Sequence, residues 1–475
     1  MFPETWRRRW GLQEAPFLHD DADRDPLLDR VDRWAVHGAF ERLHRGPEAG
    51  PSALVFGLRG SGKSALRRRI GEAKRGPFGP LVVELTELDP WLEELGRRRG
   101  PDHLPTETDA LDLLLSSAAW VLTPELARDP RRLRALGRRQ RARLLALLAV
   151  MTPDHDGQRA RHLGRLLAGR RAKALRGLTG SLGALTALSP LAILQGWLPG
   201  VGLEPWVLAA AGCSTLGSAS LLPLALRRLV RGRARRTATE VGVVAADQRL
   251  VARAFAALLP GSLGRGGDPV ALRLGWLREL VGSLRAMGWS GLQLLVDRVD
   301  ESRALDGDPR RMRALLQPLV TGRASEQDGV GVQAFLPVEL RPMARPRQVS
   351  RLLHSDFEKR GQVEELRWSG QQLLDLVDRR LAAAARGPAP RAVDLVGATI
   401  HPTELRDTLD VLGTPRLAFG FLRELLDAHL ERLPSQLEAT SAAWAVERGT
   451  YERCRAAWSD RAATLRRGRV LERSR

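Results

Sequence analysis

The chain has 475 residues, of which 43% are hydrophobic and 27% charged. That composition excludes a disordered, collagenous or disulfide-stapled protein, and at roughly 150 residues per domain the length implies about three structural units. The 75 Lys+Arg against 55 Asp+Glu leave a net charge of +20, a balance that first suggests nucleic acid.

Only Cys213 and Cys454 are present, too few and too far apart for a zinc site. Four lysines stand beside 71 arginines, so the arginine content reads as the codon bias of a GC-rich genome and says little about partners. Behind the basic residues of Met1–Trp10 no apolar run follows, so no cleaved secretory signal is expected, and the N-terminus is expected in the cytoplasm.

Residues 52–64 read Ser-Ala-Leu-Val-Phe-Gly-Leu-Arg-Gly-Ser-Gly-Lys-Ser, and the stretch from Gly57 matches the phosphate-binding pattern G-x-x-x-x-G-K-[ST]. Ala53–Phe56 is an apolar run suited to a buried strand, and Ala65–Ala73 continues as a helix. That strand-loop-helix setting is what the motif needs. Backbone amides of Gly57, Arg59, Gly60, Ser61 and Gly62 would close around phosphate, with the helix N-terminus behind them. Lys63 would neutralise the outer phosphate oxygens and Ser64 would hold magnesium, so ATP and Mg2+ are the expected ligands.

Leu81–Leu85 reads as a second strand and is followed by a helical stretch through Val121; then the chain changes character. The 26 residues Leu178–Leu203 and the 22 residues Pro205–Leu226 carry no charge, with Glu204 alone between them. Each is long enough to cross a bilayer as a helix, so a transmembrane hairpin is expected over about 178–198 and 205–226. Trp197 and Trp206 flank the turn as interface aromatics. A buried soluble hairpin is the competing reading. Net charges of +12 over Arg131–Arg176 and +6 over Arg227–Arg236 bracket the hairpin, the asymmetry expected of two cytoplasmic ends and an exported tip. Most of the +20 thus describes membrane topology. A nucleic-acid partner is the less favoured alternative, since no nucleic-acid-binding motif accompanies the charge.

Leu292–Val296 reads as a buried strand ending at Asp297, the residue expected to hold the metal from the protein side. Asp300 and Glu301, one turn beyond, are the candidates for positioning the attacking water, because the position after Asp297 is Arg298. A further strand, Gly331–Leu336, runs into a polar loop where Glu339 or Arg341 could face the terminal phosphate. Ser369, with Gln372 three residues later, caps a helix that opens a helical lid. Pro415 fits the first turn of another helix, Leu417–Leu430, from whose start Arg416 would project. Residues 435–475 read as one or two Arg-rich helices with Trp444 and Trp458 at packing positions.

On these residues the chain resembles AAA+ and STAND-type P-loop NTPases, including KAP-type and origin-recognition-like ATPases. Gly57–Ser64 corresponds to Walker A, Leu292–Asp297 to Walker B, Gly331–Leu336 to the sensor-1 strand and Gly413–Arg416 to the sensor-2 turn. Trp10–Phe17 is similar to the segment such proteins place near the adenine, and KAP-type members also carry transmembrane helices between their Walker motifs. Arg298 departs from the usual acidic residue at its position. The resemblance implies an α/β fold, an AAA+-like parallel sheet flanked by helices, with a helical lid and the inserted hairpin. The expected domains are a leading segment (1–51), a split ATPase core (52–125 and 237–345), a basic insertion (126–236), a lid (346–434) and a tail (435–475).

The function expected is that of a membrane-anchored ATPase of the cytoplasmic membrane, acting as a nucleotide-dependent switch or motor upon an unidentified protein partner. Asp300, Glu301 and Arg416 are its expected catalytic residues. The alternatives are a soluble nucleic-acid-binding ATPase and a non-hydrolysing ATP-binding scaffold.

Overall fold

The computed structural model describes residues 4–151, 268–340, 362–433 and 442–472, apart from 20–21, 30–36, 45–47, 49, 77 and 321. The hairpin expected over 178–226, and Arg341, lie outside the described residues. The chain divides into two compact units, Met1–Asp89 with Gln293–Ser325 and Val330–Arg475, and Pro90–Leu292 with Glu326–Gly329. Residues 4–89 and 362–472 thus fall in the first unit, and residues 90–151 and 268–292 in the second.

Five parallel strands form one sheet: β1 (Ala53–Gly57), β2 (Leu81–Leu85), β3 (Leu292–Val296), β4 (Val330–Pro337) and β5 (Gln362–Leu366). Their order across the sheet is β2-β3-β4-β1-β5. In register, Ala53 lies beside Gln333 on one side and Gln362 on the other. Four strands are short β-branched and leucine-rich runs, the pattern of strands covered on both faces. β5 is the exception, with two glutamates. Glu364 meets Arg42 of helix α2 (Ala39–His44) through two hydrogen bonds of 2.6 and 2.7 Å, and this pairing lets a charged strand close the sheet.

Because all five strands run the same way, their carboxyl ends share one edge, and β1 sits where the chain turns from one half of the sheet to the other. Such a switch point is where ligands bind in open α/β sheets. Helix α3 (Lys63–Lys74) leaves β1 at that edge and packs Leu66 and Ile70 against Val55, Val82, Leu295 and Phe335.

The lid consists of α9 (Gly370–Ala384), α10 (Pro402–Leu412), α11 (Pro415–Leu430) and α12 (Arg448–Glu472); the helices between α3 and α9 are given below. Ser369 and Gln372 form the reciprocal capping box expected from their spacing. The lid core gathers Leu373, Val377, Leu381, Phe421, Leu425 and Tyr451, together with Trp6, Leu12 and Phe17 of the leading segment, whose helix α1 spans Glu4–Arg9. The tail is thus part of the lid: Trp444 is buried and Trp458 packs on the same core.

In the second unit α5 (Glu107–Arg128) packs with α6 (Arg138–Val150) and α7 (Pro269–Ala286), and α4 (Asp89–Arg99) precedes them. Among the described residues α5 alone is long and apolar enough to cross a membrane, and 61% of its most apolar window is buried. It also holds Asp112 in a two-bonded pair with Arg273 of α7 at 3.0 and 3.2 Å. Those contacts mark a core helix. The remaining helix, α8 (Pro309–Val320), lies against β4 in the first unit.

At the start of α9, a Cβ on Gly370 would stand 2.2 Å from the Arg406 carbonyl oxygen of α10. Gly370→Ala must therefore push α9 and α10 apart. A loss of about 1–3 kcal/mol in urea unfolding of the full chain is expected; an unchanged midpoint would show that the two helices are not closely docked.

Candidate nucleotide-binding site

The loop after β1 is shaped by two glycines with left-handed backbone, Gly60 at φ 80° and Gly62 at φ 90°. At Gly60 a side chain is also excluded by space, since a Cβ would lie 2.4 Å from Cβ of Arg416. Gly62 is the N-cap of α3 and supplies no side-chain cap. The first amides of α3 are therefore available to an anion. Ser61 is buried, and its hydroxyl has no hydrogen-bond partner. Lys63 Nζ curls back to the carbonyls of Gly57 and Leu58 at 2.9 and 3.1 Å.

The loop forms one end of a cavity of about 300 Å³. Arg59, Gly60, Gly62, Lys63 and Ser64 line it, together with Asp297, Asp300, Glu301 and Arg416. The structure thus brings together residues that the sequence separates by more than 350 positions. Gly57 ends β1, and Ser61, although in the loop, is buried and outside the cavity lining. Glu339, the alternative to Arg341 at the end of β4, is exposed and outside the cavity lining. Trp10–Phe17 does not reach the cavity either, because Leu12 and Phe17 are buried in the lid core. From the leading segment His19, Ala22, Asp25, Leu28 and His37 line it instead.

Asp297 is 2% exposed, and its amide is tied to the Leu85 carbonyl at the end of β2. Burial raises its pKa, against the opposing pull of the Ser64 hydroxyl, the Arg67 guanidinium, the Arg298 amide and Lys63. Its Oδ2 stands 3.3 Å from Arg67 Nε without an aligned hydrogen bond. Arg67 itself is 3% exposed and pairs with Asp23 of the leading segment and Glu84 of β2. The turn Val299–Glu301 that carries Asp300 and Glu301 is pinned from behind by Asp89, whose carboxylate accepts from Ser302 Oγ and the amides of Arg303 and Ala304.

Two lid residues touch the loop backbone directly. Trp368 Nε1 donates to the Ser61 carbonyl at 2.8 Å, and the Arg416 amide donates to the Gly60 carbonyl at 3.2 Å. His37 contacts the Trp368 ring edge-on, with centroids 5.1 Å apart, and bonds the Arg367 carbonyl at 2.8 Å. Leu28, Leu376 and Phe419 add apolar side chains to the cavity lining. Arg380 and Asp25 form a buried pair at 2.5 Å, with the guanidinium 4.6 Å over the Phe419 ring. Trp368, Arg67, Asp23, Asp25 and Arg380 carry no motif, so the sequence offers no signal that they belong to the site.

Comparison with known protein families, curated proteins and solved structures yields no match. The cavity is therefore interpreted from its own chemistry. For a polyphosphate, the uncapped α3 amides and Lys63 provide donors. For Mg2+, the Asp297 carboxylate and the Ser64 hydroxyl that interacts with it provide the hard oxygens this ion takes. Among the described residues no group of three or more His, Cys, Asp or Glu could hold a metal by itself, so phosphate oxygens would complete the shell.

The raised pKa has a sign that can be tested. Between the unfolded and the higher folded pKa, the folded chain binds more protons, so stability falls as pH rises through that window and the burden is full above it. Asp297→Asn should therefore raise the melting temperature of the ligand-free protein at pH 7–8 and narrow its advantage toward pH 4. A lower melting temperature at pH 7–8 would show instead that pairing with Arg67 outweighs burial.

Proposed function

We propose that this chain is a membrane-anchored P-loop ATPase, binding ATP with Mg2+ and using the bound nucleotide as a switch or motor. The observation that carries the reading is the convergence of the uncapped α3 start, Lys63 and Ser64 with the buried carboxylate of Asp297. Phosphate would lie over the α3 amides and Lys63, with the base toward Leu28, Leu376 and Phe419. Ser64 and Asp297 would hold the metal between phosphate and protein. Asp300 and Glu301 are the carboxylates near enough to orient a water, and Arg416 is the cation presented by the lid. Kinship with AAA+ and STAND-type NTPases, KAP-type or origin-recognition-like, rests on these motifs and on the parallel sheet that carries them.

The link to a partner is the lid. It grips the loop through the carbonyls of Ser61 and Gly60, so phosphate that rearranges this backbone would shift α9 and α11. Anchoring rests on the two uncharged stretches at 178–203 and 205–226 and on the arginine clusters around them. It gives the protein two cytoplasmic ends at the cytoplasmic membrane and a partner there.

Full-length protein with ATP and Mg2+ at about a hundred times the dissociation constant should gain about 2.7 kcal/mol of stability, and Lys63→Ala should gain nothing. Equal stabilisation of both proteins would overturn nucleotide binding at this loop. In fractionation the chain should stay with membranes through a high-salt wash, and a 178–226 deletion should not. Recovery of the wild type in the soluble fraction, with salt-sensitive DNA binding that weakens when Arg131–Arg143 are neutralised, would favour the nucleic-acid alternative.

A further inference from the structure

Arg298 follows the proposed metal carboxylate and adopts a left-handed backbone, φ 58°, which side chains other than glycine rarely take. Such a conformation persists where surrounding contacts over-determine it, and it clusters at switch regions. Arg298 is one of the residues that line the cavity, as are Lys63, Asp300 and Glu301. Its Nη2 pairs at 2.8 Å with Asp23 on the short turn Ala22–Arg24, and Glu301 stands 3.9 Å from its Nε.

We propose that Arg298 is a terminal-phosphate sensor, held off the nucleotide by Asp23 until a triphosphate arrives. This rests on the nucleotide reading given above. The Asp23 pair is partly solvated, with the two side chains 27% and 32% exposed, so it is weak and readily exchanged. A phosphate group offers the guanidinium two charged oxygens in matching geometry and is the stronger partner. Asp23 can release Arg298 without being stranded, because its other oxygen holds the buried Arg67. Arg67 cannot play the same part: it is 3% exposed and committed to Glu84 and Asp297. A diphosphate lacks the group that would draw Arg298 across, so release of Asp23 would report a triphosphate to the leading segment. Asp23 is a positioning residue, acting through Arg298.

The test measures dissociation constants of the Mg2+ complexes of ATP and ADP for the full chain by calorimetry. Arg298→Ala should weaken ATP on the order of tenfold, the scale of one charge-assisted contact, and leave ADP within about twofold. Arg298→Gly, which suits the left-handed backbone, should do the same in a fold that keeps its turn. Asp23→Asn should tighten ATP relative to ADP several-fold, and the double variant Asp23→Asn/Arg298→Ala should show the ATP-to-ADP ratio of Arg298→Ala. Equal changes for ATP and ADP, or none, would assign Arg298 a structural role and overturn the proposal. Loss of both nucleotides in Lys63→Ala, with those equal changes, leaves the nucleotide reading standing and removes only the sensor. A wild type that binds neither nucleotide overturns both.

Discussion

One buried cation holds the site in shape. Arg67 reaches from α3 to Asp297 just past β3, Glu84 on β2 and Asp23 in the leading segment. A guanidinium with this little solvent access is tolerable only when its donors are matched by charge. Three pieces of chain that share no local sequence relation are thereby fixed around the first turn of α3. Asp297 could not otherwise be kept beside Ser64 in so dry a place, since burial already works against its ionised form.

From that fixed centre the structure extends outward through backbone contacts. The carbonyls of Gly60 and Ser61, in the loop after β1, accept from the Arg416 amide and Trp368 Nε1. Main-chain groups are the part of the loop that a phosphate would engage, so the elements that would sense ligand and lid are the same few peptide units. The lid is in turn a single packed body: α9, α10, α11 and α12 share one core with Trp6 and Phe17. A shift at the loop would therefore move the lid as a unit, because a close-packed core transmits displacement rather than absorbing it.

The charge of the chain follows a separate logic. Net charges of +12 over Arg131–Arg176 and +6 over Arg227–Arg236 leave little excess elsewhere, and the cavity lining keeps a small part of it, six Arg and Lys residues against Asp25, Asp297, Asp300 and Glu301. The described part of the first cluster shows one way an arginine-rich surface is accommodated: Arg132 lies 4.2 Å over the ring of Trp289 within the second unit.

Much of this fold was legible in the linear text because its signals are local. Ala53–Gly57, Leu81–Leu85, Leu292–Val296 and Val330–Pro337 are apolar runs whose burial on both faces is written in each residue, and the helices starting at Gly370 and Pro415 announce themselves through a capping box and a first-turn proline. The strand Gln362–Leu366 was hidden, since Glu364 and Glu365 argue against burial until Arg42 is brought from 322 residues away. The site divides along the same line. Gly57–Ser64 and Asp297 were readable from spacing, because a phosphate loop and a strand-end carboxylate are short-range chemical patterns. Trp368, Arg67, Asp23 and Arg298 acquire meaning only when the chain folds, for their partners lie on other elements and an arginine among 71 carries no sign of which carboxylate it will meet. The sequence alone determined the glycine-rich motif that suggests phosphate and the uncharged stretches; tertiary structure decided which charges are buried, which are paired and which face the cavity, since desolvation and pairing are properties of place and not of residue type.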